Sequence, residues 1–144
     1  MTDLVVRRLL VDLQTPFAAR WCGGDAFRSA FLNALSMSFP VGEQYFIDSV
    51  RNGLKAVPAE RQQALAAEVQ GFIGQEATHR RLHGLFNENL ERLGFRNTIA
   101  ERAVRRIRRQ AHVDLRNHVA GTAATEHFTA LFADWMLRHP EVLD

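Results

Sequence analysis

Apolar residues recur every three or four positions along most of this chain, a spacing that predicts amphipathic helices, and few segments alternate as β-strands do. Asp25 follows the loop-like stretch "WCGG" and predicts the N-cap of a helix over "AFRSAFLNALSMSF". Pro40 lacks an N–H and crowds the preceding turn, so we expect it to kink or break this helix. A separate helix is then expected over roughly residues 40–54.

Two further long regions carry the helical pattern. Pro58 suits the first turn of a helix that runs to about residue 93, and Gly94 is expected to cap its C-terminus. Thr98 and Glu101 have the spacing of a capping box and predict a third long helix that reaches about residue 138. Three long helical regions with short connections predict an all-α fold, an antiparallel helical bundle.

Length and composition fit one soluble domain with a real core, since the chain has 144 residues, of which 47% are hydrophobic and 24% charged. The first segment, "DLVVRRLLVDL", is ambiguous between an extended segment and a short helix. No apolar run is long enough to span a membrane, and no signal peptide is recognisable. Cys22 is the only cysteine, so we expect no intrachain disulfide and a cytoplasmic location. The expected organisation is a single helical domain over 1–144, with an N-terminal segment and loop at 1–24 and bundle helices at 25–138.

Charge adds one feature, the arginine cluster "RAVRRIRRQ" at residues 102–110, in a chain whose net charge is only +2. Such a face can attract nucleic acid or acidic lipid, but a solvated helix side explains it more simply. No aromatic residues are interleaved for base stacking, so we do not expect nucleic acid as a partner.

Carboxylates interrupt the apolar stripes of three predicted helices. Glu43 shares its helical side with Phe39, Phe46 and Val50, and Glu126 lies at helical spacing from other apolar positions in "TAATEHFTALF". The middle stripe contains three ionisable groups in succession, and reads Phe72, Glu76, His79, His83, Phe86, Leu90, Leu93. Buried charges are normally paired or bound to metal, and a divalent cation accepts carboxylate oxygens and neutral imidazole nitrogens together.

Each residue of this set also has an ordinary interpretation. Glu43 alone could pair with an arginine, and His83 alone could be a hydrogen-bonded core histidine. The other four histidines are expected at the surface or in structural roles (His112, His118, His127, His139). Only the conjunction of Glu43, Glu76, His79 and Glu126 on three helices indicates a metal site. It matches the layout of carboxylate-bridged di-metal bundles, in which two helices supply Glu and two supply Glu-x-x-His.

Three segments of the chain resemble, in order and spacing, the bacterial family catalogued as predicted metal-dependent hydrolases, a ferritin-like group. These segments are "SMSFPVGEQYFIDSV", "FIGQEATHRRLHGLFNENL" and "TAATEHFTA". The resemblance implies a ferritin-like bundle with a di-metal centre of iron, with manganese or zinc as alternatives. It implies Glu43, Glu76, His79 and Glu126 as ligands, and His83 as a further ligand or a group that orients one.

The resemblance also implies a missing element. Members of the family continue into a later helix with a second Glu-x-x-His, whereas this sequence stops at "RHPEVLD". We therefore expect the fourth helical wall to be absent, and either a shortened chain or a homodimer in which a second copy supplies it. Three functions stay open, and none comes with an identifiable substrate: metal-dependent hydrolysis, dioxygen activation by a di-iron pair, and a non-catalytic interaction module with an incomplete site.

Overall fold

The computed structural model describes residues 5–7 and 9–143, and regular structure within them is entirely helical. Four α-helices and a short 3-10 helix follow one another: α1 (Ala26–Ala56), α2 (Ala59–Arg92), α3 (Thr98–Arg109), α4 (Leu115–Arg138) and the 3-10 turn Pro140–Val142. The predicted all-α class is confirmed. The ambiguous first segment forms neither helix nor strand over its described residues 5–7 and 9–13, while residues 1–4 and 8 lie outside the described part.

Helix α1 is the element on which the other three helices pack. Its backbone approaches α2 most extensively and approaches α3 and α4 as well, whereas those three make no close backbone contact with one another in the described part of the chain. Side chains of α2 and α4 can therefore reach the same face of α1 from two sides.

Pro40 does not end the first helix, because α1 is continuous from Ala26 to Ala56. The expected separate helix over 40–54 is therefore wrong. Pro40 has no N–H to donate to the Ser36 carbonyl one turn earlier. That carbonyl instead accepts a hydrogen bond from Asn87 Nδ2 on α2, at 2.9 Å. The side chain of Asn87 thus replaces the donor that Pro40 lacks, and the neighbouring carbonyl of Met37 also accepts a hydrogen bond from Asn97 Nδ2, at 3.0 Å.

The third predicted helix is divided in two. The chain turns over residues 110–113, and Asp114 begins a new helix by accepting a hydrogen bond from the backbone N–H of Arg116 at 2.7 Å. The expectation of one helix from 98 to 138 is thus wrong, because the Asp114 cap starts α4 where the periodic pattern seemed continuous. The four helices observed in place of three long regions follow from this division.

Other helix ends agree with the pattern, with two exceptions, of which the first is Pro58, the N-cap of α2 and not a residue of its first turn. The Asp25 side chain caps α1 by accepting from the N–H of Arg28, as predicted. Gly94 adopts a left-handed φ of +88° after α2, a conformation that favours glycine. For α3, the N-cap is Asn97, whose side chain accepts from the N–H of Ala100, and not Thr98 as the capping-box spacing suggested.

The interior is rich in polar groups. Among the described residues, four apolar side chains are buried: Cys22, Met37, Ile47 and Leu90. The buried polar residues are more numerous: Ser29, Asn33, Ser36, Glu43, Ser49, Glu76, Asn87, Asn89 and Thr122. Cys22 fills a small space beside the carbonyl oxygens of Val142 and Leu143, as expected for a packed thiol. Such a polar interior requires internal partners for its charged members.

Large apolar side chains remain exposed on α4 and at the start of α1. Phe27 is 78% exposed, Phe128 69% and Leu137 82%. Within the described residues, the helices all lack the length of apolar sequence needed to cross a bilayer.

Candidate metal centre

Glu43, Glu76 and His79 converge at the interface of α1 and α2. Each offers a ligand atom, and these atoms all lie within 4.8 Å of one another. Glu43 is 5% exposed and Glu76 only 1%, while His79 is half-buried. Glu76 and His79 are one helical turn apart on α2, so both side chains reach the same point on α1.

Two carboxylate oxygens of this group have no hydrogen-bond donor among the described residues: Glu43 Oε2 and Glu76 Oε1. His79 Nδ1 lies 3.3 Å from Glu76 Oε1, a contact that is an ion pair when the imidazole is protonated but that falls short of full hydrogen-bond geometry. An unpartnered buried carboxylate is costly. A divalent cation removes that cost, and two carboxylates with an imidazole are a donor set that such cations accept. The residues present therefore fit a bound metal ion.

The group of Glu43, Glu76 and His79 carries an excess of negative charge. Burial, together with the neighbouring Glu76 carboxylate, raises the pKa of Glu43 to about 8. The close approach of Glu76 raises the pKa of His79, although burial opposes this shift. The group thus favours an added positive charge, which can be a proton or a cation.

His83 stands one turn beyond His79 and faces Glu43. Its Nε2 lies 3.7 Å from Glu43 Oε1, and its Nδ1 lies 3.1 Å from the hydroxyl of Ser36. The ring of Phe39 packs edge-on against the imidazole, with 4.6 Å between ring centroids. Burial, with a smaller contribution from the charge of His79, lowers the pKa of His83 to about 4, so the imidazole is neutral near pH 7.

Glu126 reaches the centre from α4 without joining the compact group of three. It is half-buried, and burial together with the Glu76 charge raises its pKa. One turn earlier, Thr122 is 2% exposed, and its hydroxyl has no hydrogen-bond partner among the described residues. The structure thus brings a carboxylate from each of three helices into one electrostatically coupled region.

The remaining histidines lie elsewhere. His112 and His127 are exposed, and the exposed His139 contacts Glu141 at 3.0 Å. His118 is partly buried and shares a hydrogen bond of 2.7 Å with the hydroxyl of Tyr45, which ties α4 to α1.

Sequence reasoning missed the polar residues that surround the centre. Ser36 hydrogen-bonds to both Asn87 and His83, and Arg80 donates to Gln44, the residue after Glu43. Asn87 follows His83 by four residues, which is the only sequence signal for its position. Ser36, four residues before Pro40, carries no signal of its own.

Comparisons with known proteins agree with these observations. Searches of curated proteins and of solved structures each gave no match. A family model described as "predicted metal-dependent hydrolase" matches residues 5–144, which is nearly the whole chain. The chain therefore belongs to this family of predicted metal-dependent hydrolases.

Proposed function

We propose that this protein is a metal-dependent hydrolase whose divalent cation is bound by Glu43, Glu76 and His79. The observation that carries the proposal is a pair of buried carboxylate oxygens beside an imidazole, on two packed helices. Neither oxygen has a hydrogen-bond donor in the part of the chain that the structure describes. Glu126, which is electrostatically coupled to this group, and His83, which faces Glu43, complete the proposed ligand set.

The metal, when bound, supplies a Lewis acid that polarises a substrate oxygen and lowers the pKa of water. The residues around the metal have separate roles. Glu43 and Glu76 are too deeply buried to exchange partners with solvent, so they serve as anchors. Glu126 is half-buried and lies outside the compact group, so, whenever it is not bound to the metal, it is the carboxylate best placed to accept a proton from an attacking water. Its raised pKa brings it closer to the pH at which a general base is efficient.

Iron in a di-metal arrangement is the form that we favour, with manganese and zinc as alternatives. A carboxylate-rich set with two imidazoles suits iron or manganese better than a closed structural zinc site, which prefers thiolates. The position of Glu126 beyond the three clustered ligands supports a second metal position between α1 and α4.

Self-association is a further part of the proposal. The exposed apolar residues of α4 and of the start of α1 form a surface that a monomer rarely leaves open, and a second copy of the chain would cover it. Analytical ultracentrifugation should give the mass of a dimer, and a monomer at micromolar concentration would contradict this part alone.

The function is tested with metal-loaded, untagged protein on a panel of chromogenic carboxylic and phosphoric esters. We expect turnover by wild type and by Glu68→Gln, an exposed carboxylate on the same helix, and a loss of at least about a hundredfold in Glu76→Gln. Oxygen consumption without hydrolysis would instead favour dioxygen activation. Bound metal without either reaction would contradict the enzymatic proposal and favour a binding module.

A further inference from the structure

We propose that Ser36 and Asn87 are positioning residues that hold His83 in its Nδ1–H tautomer, so that the Nε2 lone pair faces Glu43. The consequence for metal affinity rests on the proposed function, whereas the tautomer itself follows from hydrogen bonds within the chain.

The orientation of the Asn87 amide is the first step. One of its side-chain atoms lies 2.9 Å from the Ser36 carbonyl oxygen, which can only accept a hydrogen bond. The atom at this position must therefore be the Nδ2 amino group. The carbonyl oxygen Oδ1 of Asn87 then faces the Ser36 hydroxyl, at 2.9 Å. Both residues are buried, so water does not compete for these positions.

The Ser36 hydroxyl has a single proton, and this fixes the next step. Because Asn87 Oδ1 can only accept, the hydroxyl must donate to it. Toward His83 Nδ1, at 3.1 Å, the same hydroxyl oxygen can then only accept. His83 must consequently carry its proton on Nδ1. In the neutral imidazole, which carries one ring proton, Nε2 is then the unprotonated nitrogen.

The hydrogen bonds that link Asn87 through Ser36 to His83 form what we call the Ser36–Asn87–His83 relay. Pro40 makes this relay possible. Serine and threonine hydroxyls inside helices commonly donate to a carbonyl of their own helix, as Ser38 does to Leu35 and Ser49 does to Tyr45. Ser36 instead donates across the interface to α2. Its own carbonyl is open to Asn87 because Pro40 lacks the N–H that would occupy it.

The position of His83 Nε2 indicates what the relay does. Nε2 lies 3.7 Å from Glu43 Oε1, so an unprotonated nitrogen faces a carboxylate oxygen beyond hydrogen-bond distance. In this arrangement His83 Nε2 and Glu43 Oε1 can both coordinate one cation. A ligating histidine characteristically donates its other ring N–H to a partner that fixes its tautomer, and here that partner is the Ser36 hydroxyl.

The test uses full-length, metal-free, ¹⁵N-labelled protein. Nitrogen–proton correlation spectra of the imidazoles, with His83 assigned by its loss in His83→Gln, should show the neutral Nδ1–H form near pH 7. In Ser36→Ala we expect this signature to change, and the affinity for Zn²⁺ measured by chelator competition to fall about 10- to 100-fold. Ser49→Ala removes an equally buried hydroxyl that donates only to its own helix, so it should change neither.

Either of two spectra would overturn the proposal: an Nε2–H form in wild type, or an unchanged Nδ1–H form in Ser36→Ala. The wild-type spectrum alone decides the assignment if Ser36→Ala does not fold. An Nδ1–H form in a wild-type protein that binds no divalent cation would support the relay and contradict the proposed function, so the two failures are distinguishable.

Discussion

Glu43 on α1 and Glu76 on α2 face each other across a helix interface as carboxylates that are only 5% and 1% exposed. Their ligand atoms lie within 4.8 Å of each other. Two such groups cannot both keep a negative charge in this environment without a compensating positive charge. In metal-free protein the compensation comes from a proton, which makes stability depend on pH.

The metal-free protein should lose stability as the pH rises from about 6.5 to 8. Glu43 keeps its proton in the folded state up to a pKa of about 8, whereas the unfolded chain releases it near 4.5, so rising pH favours unfolding over that interval. His83 has the opposite sign between about 4 and 6.5, because its pKa is lowered on folding, and it offsets Glu43 there. One net proton corresponds to at most about 1.4 kcal/mol per pH unit.

Urea denaturation at a series of pH values in the presence of a chelator measures this slope. Glu43→Gln should reduce the decline above pH 6.5 to the part that comes from the raised pKa of His79, while Glu68→Gln, an exposed control on α2, should retain all of it. A metal-free wild type that becomes more stable from pH 6.5 to 8 would contradict the burial of an unpaired carboxylate at position 43.

Asn87 should be coupled energetically to Pro40. Asn87→Ala removes the donor to the Ser36 carbonyl and should cost about 1–3 kcal/mol, since a buried polar group loses its partner. In a Pro40→Ala background, the restored backbone N–H of residue 40 can donate to that carbonyl. The cost of Asn87→Ala should then be lower by about 0.5–1.5 kcal/mol. Denaturant midpoints of wild type, the two single variants and the double variant measure the coupling. Strictly additive effects would contradict the view that Asn87 Nδ2 takes the place of the backbone N–H that Pro40 lacks.

Two helical glycines should respond in opposite ways to alanine. At Gly121, an added Cβ meets no described atom within 4 Å, so Gly121→Ala should stabilise α4 by about 1 kcal/mol. At Gly53, the Cβ would lie 2.9 Å from Val119 Cγ2, where α1 packs on α4. Gly53→Ala should therefore destabilise the protein by about 1–3 kcal/mol. Thermal unfolding distinguishes the pair, and equal stabilisation by both would show that α4 does not pack closely on α1 at this point.

The sequence predicted features that depend on local pattern. Asp25 and Gly94 mark helix ends through their own side chain or backbone, and a charge on an apolar stripe is visible at Glu43 and Glu76 without any knowledge of the partner helix. The structure brings Glu43, Glu76 and His79 together and places His83 and Glu126 around them. Their role as ligands remains a prediction.

Features that depend on another element were not predictable. Helix α1 continues through Pro40 because Asn87, on a different helix, donates a hydrogen bond to the Ser36 carbonyl. The sequence around Pro40 gives no sign of that contact. The division between α3 and α4 was missed because the apolar period continues on both sides of Asp114, so the cap was hidden inside an apparently unbroken pattern. The Ser36–Asn87–His83 relay likewise exists only after α1 and α2 have packed.

Metal content tests the central claim most directly. Untagged wild-type protein, dialysed after loading with Fe²⁺ under anaerobic conditions, should retain at least about one equivalent of metal by elemental analysis. Glu68→Gln and His112→Ala should match it, whereas Glu76→Gln and His79→Ala should retain far less while keeping the helical circular dichroism of wild type. Equal metal content in all five proteins, or none in the wild type after loading with Fe²⁺, Mn²⁺ or Zn²⁺, would contradict a metal centre at Glu43, Glu76 and His79.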